Sequence, residues 1–217
     1  MVRVFFLIII SSAIFYYLKQ DLFFLEVKDI EINGDLQYAD ITRIREEALK
    51  MMGEKNYDID LREKKKKFEE IAWVKNSQIS FMPPDKLQIL IIEHKPLYIW
   101  NDRNYVNLEK DIFYTENLPV DRILRLSSND FDHLQMYDLF ESIQSVLIDE
   151  DLIVREISKQ SDIIVIRTDD IQITVKHSRY FDKINELISV FPELVKKMPN
   201  KKKLRIDLRY PTGFAVQ

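Results

Sequence analysis

Fifteen consecutive residues near the start of the chain, Val4 to Leu18, carry no charge. A full membrane span needs about 20 apolar residues, whereas a run of about 10–14 suits a core helix or the apolar part of a signal peptide. This run falls between those limits. It is extended, however: Lys19-Gln20-Asp21 is followed by Leu22-Phe23-Phe24-Leu25. A helix rises about 1.5 Å per residue, so one transmembrane helix over residues 4–24 is expected. Lys19 and Asp21 then lie at the outer interface, within snorkelling reach of water, and Tyr16 and Tyr17 suit the interfacial belt. A cleaved signal peptide is the alternative. Its small residues, Ser11-Ser12-Ala13, come too early, and no small-x-small site follows the apolar run. Arg3 and the terminal amine favour a cytoplasmic tail of residues 1–3. The rest of the chain is then expected on the far side of the membrane.

The pattern of residues 25–95 reads strand, helix, helix, strand, strand. Val27, Ile30 and Ile32 start a strand that stops at Asn33-Gly34-Asp35. Asp40 is placed to cap a helix with the stripe Ile41, Ile44, Ala48, Leu49 and Met52. Asp60 and Glu63 resemble a capping box and open a second helix with Leu61, Phe68 and Ile71 inward, ending at Trp73. Val74–Phe81 and Leu87–Glu93 make a hairpin around Met82-Pro83-Pro84-Asp85. Three strands covered by two helices suffice for a core. His94-Lys95-Pro96 breaks this pattern. In residues 96–217 short strands dominate, with helices expected over 131–147 and 180–190, the second closed by Pro192. The last strand, Leu204 to Tyr210, alternates strictly: Leu204, Ile206, Leu208 and Tyr210 on one face, Arg205, Asp207 and Arg209 on the other.

Little in this chain is equipped for catalysis. There is no cysteine, and three histidines and three glycines are all it has. That removes disulfides, thiolate metal sites and Gly-rich phosphate loops. The net charge of −4 does not suit general nucleic-acid binding. His94 beside Glu93 reads as a solvated histidine rather than an acid–base pair. His133 and His177 lack ligand-like spacing, so no metal is expected. Asp169-Asp170 is explained by a turn. Lys64 to Lys67 form a solvated helix face, with a lipid-headgroup contact as the alternative. The terminal strand is the more specific feature. Its Arg205, Asp207 and Arg209 either block a sheet edge or offer one for a partner strand, and composition leaves both open.

Taken in order, these residues resemble the FtsQ/DivIB family of bacterial division proteins, and the proteobacterial FtsQ type in particular. The motifs are Val27-x-x-Ile30-x-Ile32-x-Gly34, Asn56-x-x-Ile59-Asp60-Leu61, Ala72-Trp73-Val74, Pro84-Asp85-x-Leu87-x-Ile89 and Glu93-x-x-Pro96-x-x-x-Trp100. Asn107, Phe113 and Leu118-Pro119 fall where the family's β domain carries similar residues. The closing run from Asp207 to Val216 is the most specific piece. Departures from the family pattern are Ala72 for proline, Lys110 for a turn glycine, the very short tail before the apolar run, and an end at Gln217.

The resemblance implies an α+β chain: an N-terminal transmembrane helix (4–24), a POTRA domain (β-α-α-β-β, 25–95), then a mostly antiparallel β domain with two helices (96–217). It implies a non-catalytic inner-membrane scaffold of the divisome, without cofactor, nucleic acid or small-molecule substrate. The implied partners are chiefly FtsB and FtsL, bound in the periplasm, with FtsK, FtsW and FtsI as further candidates. The implied partner-binding residues are Arg209 as ion-pair donor, Tyr210 as apolar contact, Thr212 and Gly213 for close backbone approach, and Phe214. The alternatives are a POTRA module for outer-membrane protein export or assembly, and a tethered hydrolase. Too few residues follow Pro96 for the barrel that the export reading needs, and no converging catalytic groups support the hydrolase.

Overall fold

A computed structural model describes residues 8–16, 26–116, 121–197 and 204–217. The chain divides into two units, Met1–His94 and Lys95–Gln217. In the first, helix α1 is described over residues 8–16 and exposes Ile8, Ile9, Ile10, Ile14, Phe15 and Tyr16. Among the described residues no helix is long and apolar enough to cross a membrane. Most of the helix expected over residues 4–24, including Tyr17, Lys19 and Asp21, lies outside them.

The rest of this unit has the expected order: β1 (Asp29–Asn33), α2 (Ile41–Leu49), α3 (Leu61–Glu69), β2 (Val74–Met82) and β3 (Lys86–Glu93). β3 is central, parallel to β1 and antiparallel to β2. Asp40 caps α2 through the N–H groups of Thr42 and Arg43, and Asp60 caps α3 through those of Arg62 and Glu63. The box at α3 is half formed, because the Glu63 carboxylate reaches forward to Lys67 at 3.0 Å. Ile44, Ala48, Phe68, Leu87, Ile89 and Ile91 close the core.

Two expectations are corrected here. The inward stripe of α2 does not include Ile41, Leu49 or Met52, which are exposed, and Leu61 of α3 is exposed as well; Met51 is buried with Ile44 and Ala48. Ile44, Ala48 and Met51 keep the i, i+4, i+7 spacing of one helix face, and the tight turns from Met51 to Ala48 and from Met52 to Leu49 carry that face just past the helix end. Trp73 does not end α3, which stops at Glu69. It sits in a turn at φ +73°, a conformation that costs a non-glycine residue about 1–3 kcal/mol. Burial to 5% exposure and stacking on Tyr38, ring centroids 4.5 Å apart, hold it there. Glu93 acts beside these rings. Its carboxylate accepts the N–H groups of Gln37, Tyr38 and Ala39 at 2.9, 3.0 and 2.5 Å, which pins the loop before α2 to the end of β3. Glu93 therefore has a structural task, separate from His94.

The second unit is one nine-stranded sheet. Its elements are β4 (Pro96–Trp100), β5 (Asn104–Asn107), β6 (Ile112–Tyr114), β7 (Leu124–Ser128), α4 (His133–Leu147), β8 (Glu156–Gln160), β9 (Ile163–Arg167), β10 (Ile171–Lys176), α5 (Tyr180–Lys197), β11 (Leu204–Asp207) and β12 (Ala215–Val216). The order across the sheet is β12-β11-β10-β9-β8-β7-β4-β5-β6. Hairpin neighbours are antiparallel. The pairs β7–β8, β10–β11 and β4–β7 are parallel. The first two follow from the crossovers through α4 and α5, since parallel neighbours need a connection long enough to return the chain. Both helices pack on one face, where Met136, Leu139 and Ile143 of α4 and Ile184, Leu187 and Phe191 of α5 meet Ile157, Ile164, Ile166 and Ile173.

Pro192 does not close α5, which runs on to Lys197. Proline removes one backbone donor, but Phe191 and Leu194 carry the apolar face past it onto the core. At the start of α4 a complete capping box forms between Asp132 and Gln135.

Gly34 is the most constrained glycine. It has φ +150°, and a Cβ there would stand 2.5 Å from the Ile91 carbonyl oxygen. Gly34→Ala is expected to destabilise the first unit by about 1–3 kcal/mol, the range for a forced overpacking. A urea-unfolding midpoint indistinguishable from wild type would contradict this.

Candidate functional site

β11 follows the alternation read from its residues: Leu204 and Ile206 are buried, with Leu208 just beyond them, and Arg205 is exposed. The expected strand over 204–210 is shorter, ending at Asp207. It is also not open. On one side β10 pairs with it in parallel register, from Ile171↔Leu204 to Thr174↔Asp207. On the other side β12 pairs with it antiparallel, with Ile206↔Val216 and Asp207↔Ala215. Arg205 and Gln217 exchange both backbone hydrogen bonds, at 3.0 and 2.9 Å. A partner strand therefore has no place on β11, and that docking mode is corrected. The free edge at this end is β12.

The ladder sets what β12 offers. Arg205–Gln217 is a hydrogen-bonded pair, and such pairs alternate with non-hydrogen-bonded ones in antiparallel sheets. Ile206–Val216 is thus non-hydrogen-bonded, so the N–H and C=O of Val216 point away from β11. The side chains of Val216 and Phe214 are half-buried and pack against the core.

Between the two strands lies a bend that holds the other expected contact residues. Arg209 turns back on its own chain. Its Nη2 donates to Asp207 Oδ2 at 2.6 Å, its Nε to Oδ1 at 2.9 Å, and its backbone N–H to Oδ1 at 3.0 Å. The bond from Arg209 holds the Asp207 carboxyl below its ordinary range, and the same bond raises the Arg209 guanidinium. Tyr210 is not on the inward face with Leu204, Ile206 and Leu208; the chain has left the strand by then, and the residue is 52% exposed. Thr212 is exposed. Gly213 has φ +69° and open space where a Cβ would go, so within this chain the glycine serves the left-handed turn rather than a close approach.

Pro211-Thr212-Gly213 followed by Phe214-Ala215-Val216 is a turn signal before a short apolar run. That was the available sign of β12. A two-residue strand has too few positions to show alternation.

Elsewhere the structure assigns structural tasks. Lys64, Lys65 and Lys67 pair with Glu54, Glu69 and Glu63 at 3.5, 3.4 and 3.0 Å. The His133 ring lies 3.2 Å from the Lys110 carbonyl oxygen, and His177 stacks on Tyr180. Among the described residues no group of three or more His, Asp or Glu is placed to hold a metal ion. The buried Asn107 accepts the Asp111 N–H through Oδ1 at 2.8 Å, and Lys110 takes φ +68° in that turn. Leu118 and Pro119 lie outside the described residues. Lys159 gave no sequence signal because charged residues are ordinarily exposed. It is 2% exposed, with its Nζ bound to Asp130 at 2.5 Å and to the Ser161 carbonyl at 2.8 Å, above the Phe131 ring.

The β-α-α-β-β unit is matched as a domain: residues 25–94 fit the family described as POTRA domain, FtsQ-type. The chain is 28% identical to cell division protein FtsQ of Actinobacillus pleuropneumoniae over 165 residues, covering 72% of this chain and 70% of the relative. It is 24% identical to cell division protein FtsQ of Haemophilus influenzae over 189 residues, covering 84% and 74%. It is 23% identical to that of Neisseria meningitidis over 214 residues, covering 95% and 87%. Residues 25–94 thus form a POTRA domain of the FtsQ type, and the chain as a whole is similar to cell division protein FtsQ of these bacteria.

Because Asp207 titrates lower in the folded chain than in the unfolded one, its contribution to stability is full above the unfolded value and lost as pH falls through the folded one. The difference in unfolding midpoint between wild type and Asp207→Asn should be constant above about pH 5 and shrink below about pH 4. A difference unchanged down to acid pH would refute the pairing.

Proposed function

We propose that this chain is a non-catalytic scaffold of the bacterial division machinery, linking early and late division proteins at the septum. In this reading residues 4–24 form a single inner-membrane span, residues 1–3 a cytoplasmic tail, and residues 25–95 and 96–217 the POTRA and β domains in the periplasm. The FtsB–FtsL pair binds at the C-terminal edge, and FtsK, FtsW and FtsI are further partners.

The observation that carries the reading is the outer edge of β12, where among the described residues no strand pairs with the outward N–H and C=O of Val216, and Tyr210 in the preceding bend is exposed. An added strand gains main-chain hydrogen bonds there, and its side chains meet Phe214 and Val216. In this picture Arg209 orders the bend through Asp207, and Thr212 and Gly213 shape it.

Val216→Pro removes the outward donor without touching the hydrogen bonds between β11 and β12, and proline is tolerated on edges. It is expected to weaken binding of the FtsB periplasmic segment by about tenfold while the chain still folds, with the small loss of thermal stability that a half-buried valine entails. Tyr210→Ala or Arg209→Glu should weaken it by about 2–4 kcal/mol if these residues are hot spots. Unchanged pull-down of FtsB by all three variants would overturn the site. Proteinase treatment of spheroplasts should degrade the body of the chain, and a protected body would reverse the orientation. Depletion should yield filaments without septa.

A further inference from the structure

The chain enters the three-stranded sheet of the first unit at one end, and two turns flank the point of entry. On one side Glu26 bridges Lys55, the Val27 N–H donates to the Glu54 carbonyl at 3.0 Å, and the Gly53 N–H donates to the Val27 carbonyl at 2.9 Å. This pairing is antiparallel. The chain beyond Lys55 therefore runs back toward the side from which Glu26 arrives, and the turn over residues 55–58 forms the tip. On the other side the Lys28 N–H donates to the Asp85 carbonyl at 2.8 Å. β1 and β3 are parallel, with Asp29 beside Lys86, so the turn over residues 82–85 that leads into β3 lies at the same end.

Both turns are apolar at the tip. Tyr57 is 56% exposed and Met82 47%, with Pro83 and Pro84 exposed beside Met82. Turns that face water are ordinarily polar. Lys55 Nζ stands 5.9 Å from the centre of the Tyr57 ring. A tyrosine beside a lysine suits a lipid headgroup layer, where the ring lies at the boundary and the ammonium reaches water. The other lysines at this end are matched by acids: Lys28 lies 3.9 Å from Asp85, and Lys86 lies 3.5 Å from Asp29 and 2.6 Å from Glu31. This end carries apolar tips but no excess of positive charge to draw anionic lipid.

Chain length sets the distance. With residues 4–24 as the span, Leu25 and Glu26 reach at most about 7 Å beyond it. The headgroup layer on each side of a bilayer is about 5–7 Å thick. A tether this short keeps the effective concentration of lipid at both tips high.

We propose that the turns over residues 55–58 and 82–85 form a membrane-seated rim. Tyr57 and Met82 enter the lipid interface on the domain's own side of the bilayer and fix the tilt of the first unit on it. The inference rests on the reading of residues 4–24 as the span, and it is separate from the β12 edge.

The chain has no native cysteine, so one introduced thiol reports alone. Full-length chain is reconstituted in phosphatidylcholine vesicles. A fluorophore on Asp58→Cys, beside Tyr57, is compared with one on Asp35→Cys, beyond the far end of β1 and roughly 13 Å of strand away. Lipid carrying a headgroup nitroxide is expected to quench the Asp58 label several-fold more than the Asp35 label. Raising the salt or adding phosphatidylglycerol should change this little, because the contact is apolar. Tyr57→Ser with Met82→Ser should bring the Asp58 label down to the Asp35 level, with thermal stability unchanged because both side chains face solvent. Quenching retained in that variant would mean that the tether alone holds the turn near lipid, and overturns the proposal. Equal quenching at the two positions, or quenching that needs anionic lipid, overturns it as well. Alkali extraction separates the rim from the reading beneath it. A chain retained in the vesicles with an unquenched Asp58 label refutes the rim and leaves the span standing. A chain that alkali strips from the vesicles refutes the span and the rim with it.

Discussion

The parallel pairing of β11 on β10 governs the C-terminal half of this protein. It comes from the α5 crossover, which carries the chain over the sheet face and returns it in the same direction. Once β11 lies beside β10, its far side is the last open ladder at that end. The bend after Asp207 lets Ala215 and Val216 fill that ladder. The most regular strand in the sequence thus becomes an interior strand, and the edge passes to the two residues that end the sheet. Leu204 and Ile206, with Leu208 just beyond, hold β11 against the core, while Arg209 closes the bend on Asp207.

Charge serves geometry throughout the described chain. Glu93 gathers three backbone N–H groups and fixes the loop that carries Tyr38 against Trp73. Lys159 is buried under the sheet–helix layer because Asp130, the Ser161 carbonyl and the Phe131 ring compensate it. Arg209 is engaged by its own chain before any partner arrives. None of these groups converges on a cleft where a substrate would sit.

Much of the fold was legible because its elements are long enough to repeat. The β-α-α-β-β order of the first unit followed from apolar spacing, two aspartate caps and the turn at Asn33-Gly34. The errors fall where a local rule stops. Met51 rather than Met52 entered the core because it continues the face of Ile44 and Ala48 at i, i+4, i+7. Trp73 left the helix because burial and stacking on Tyr38 outweighed its unfavourable backbone conformation. α5 ran through Pro192 because the apolar face of Phe191 and Leu194 outweighed one lost hydrogen bond. Tyr210 left its expected face because the strand had already ended.

The residues of the candidate site could be named from the sequence, since the closing run from Asp207 to Val216 is specific and its turn residues are local. Its mode of action could not. Alternation states which side chains share a face, and that depends on neighbours along the chain. Whether a strand is an edge depends on which other strands lie beside it, and that was decided by a crossover helix and a late bend far apart in sequence. The amino-acid pattern alone determined the inward face of β11 and the POTRA order of residues 25–94. The tertiary structure alone decided that β11 is enclosed and that β12 is the outer strand at that end of the large sheet, because backbone hydrogen bonds carry no residue signature.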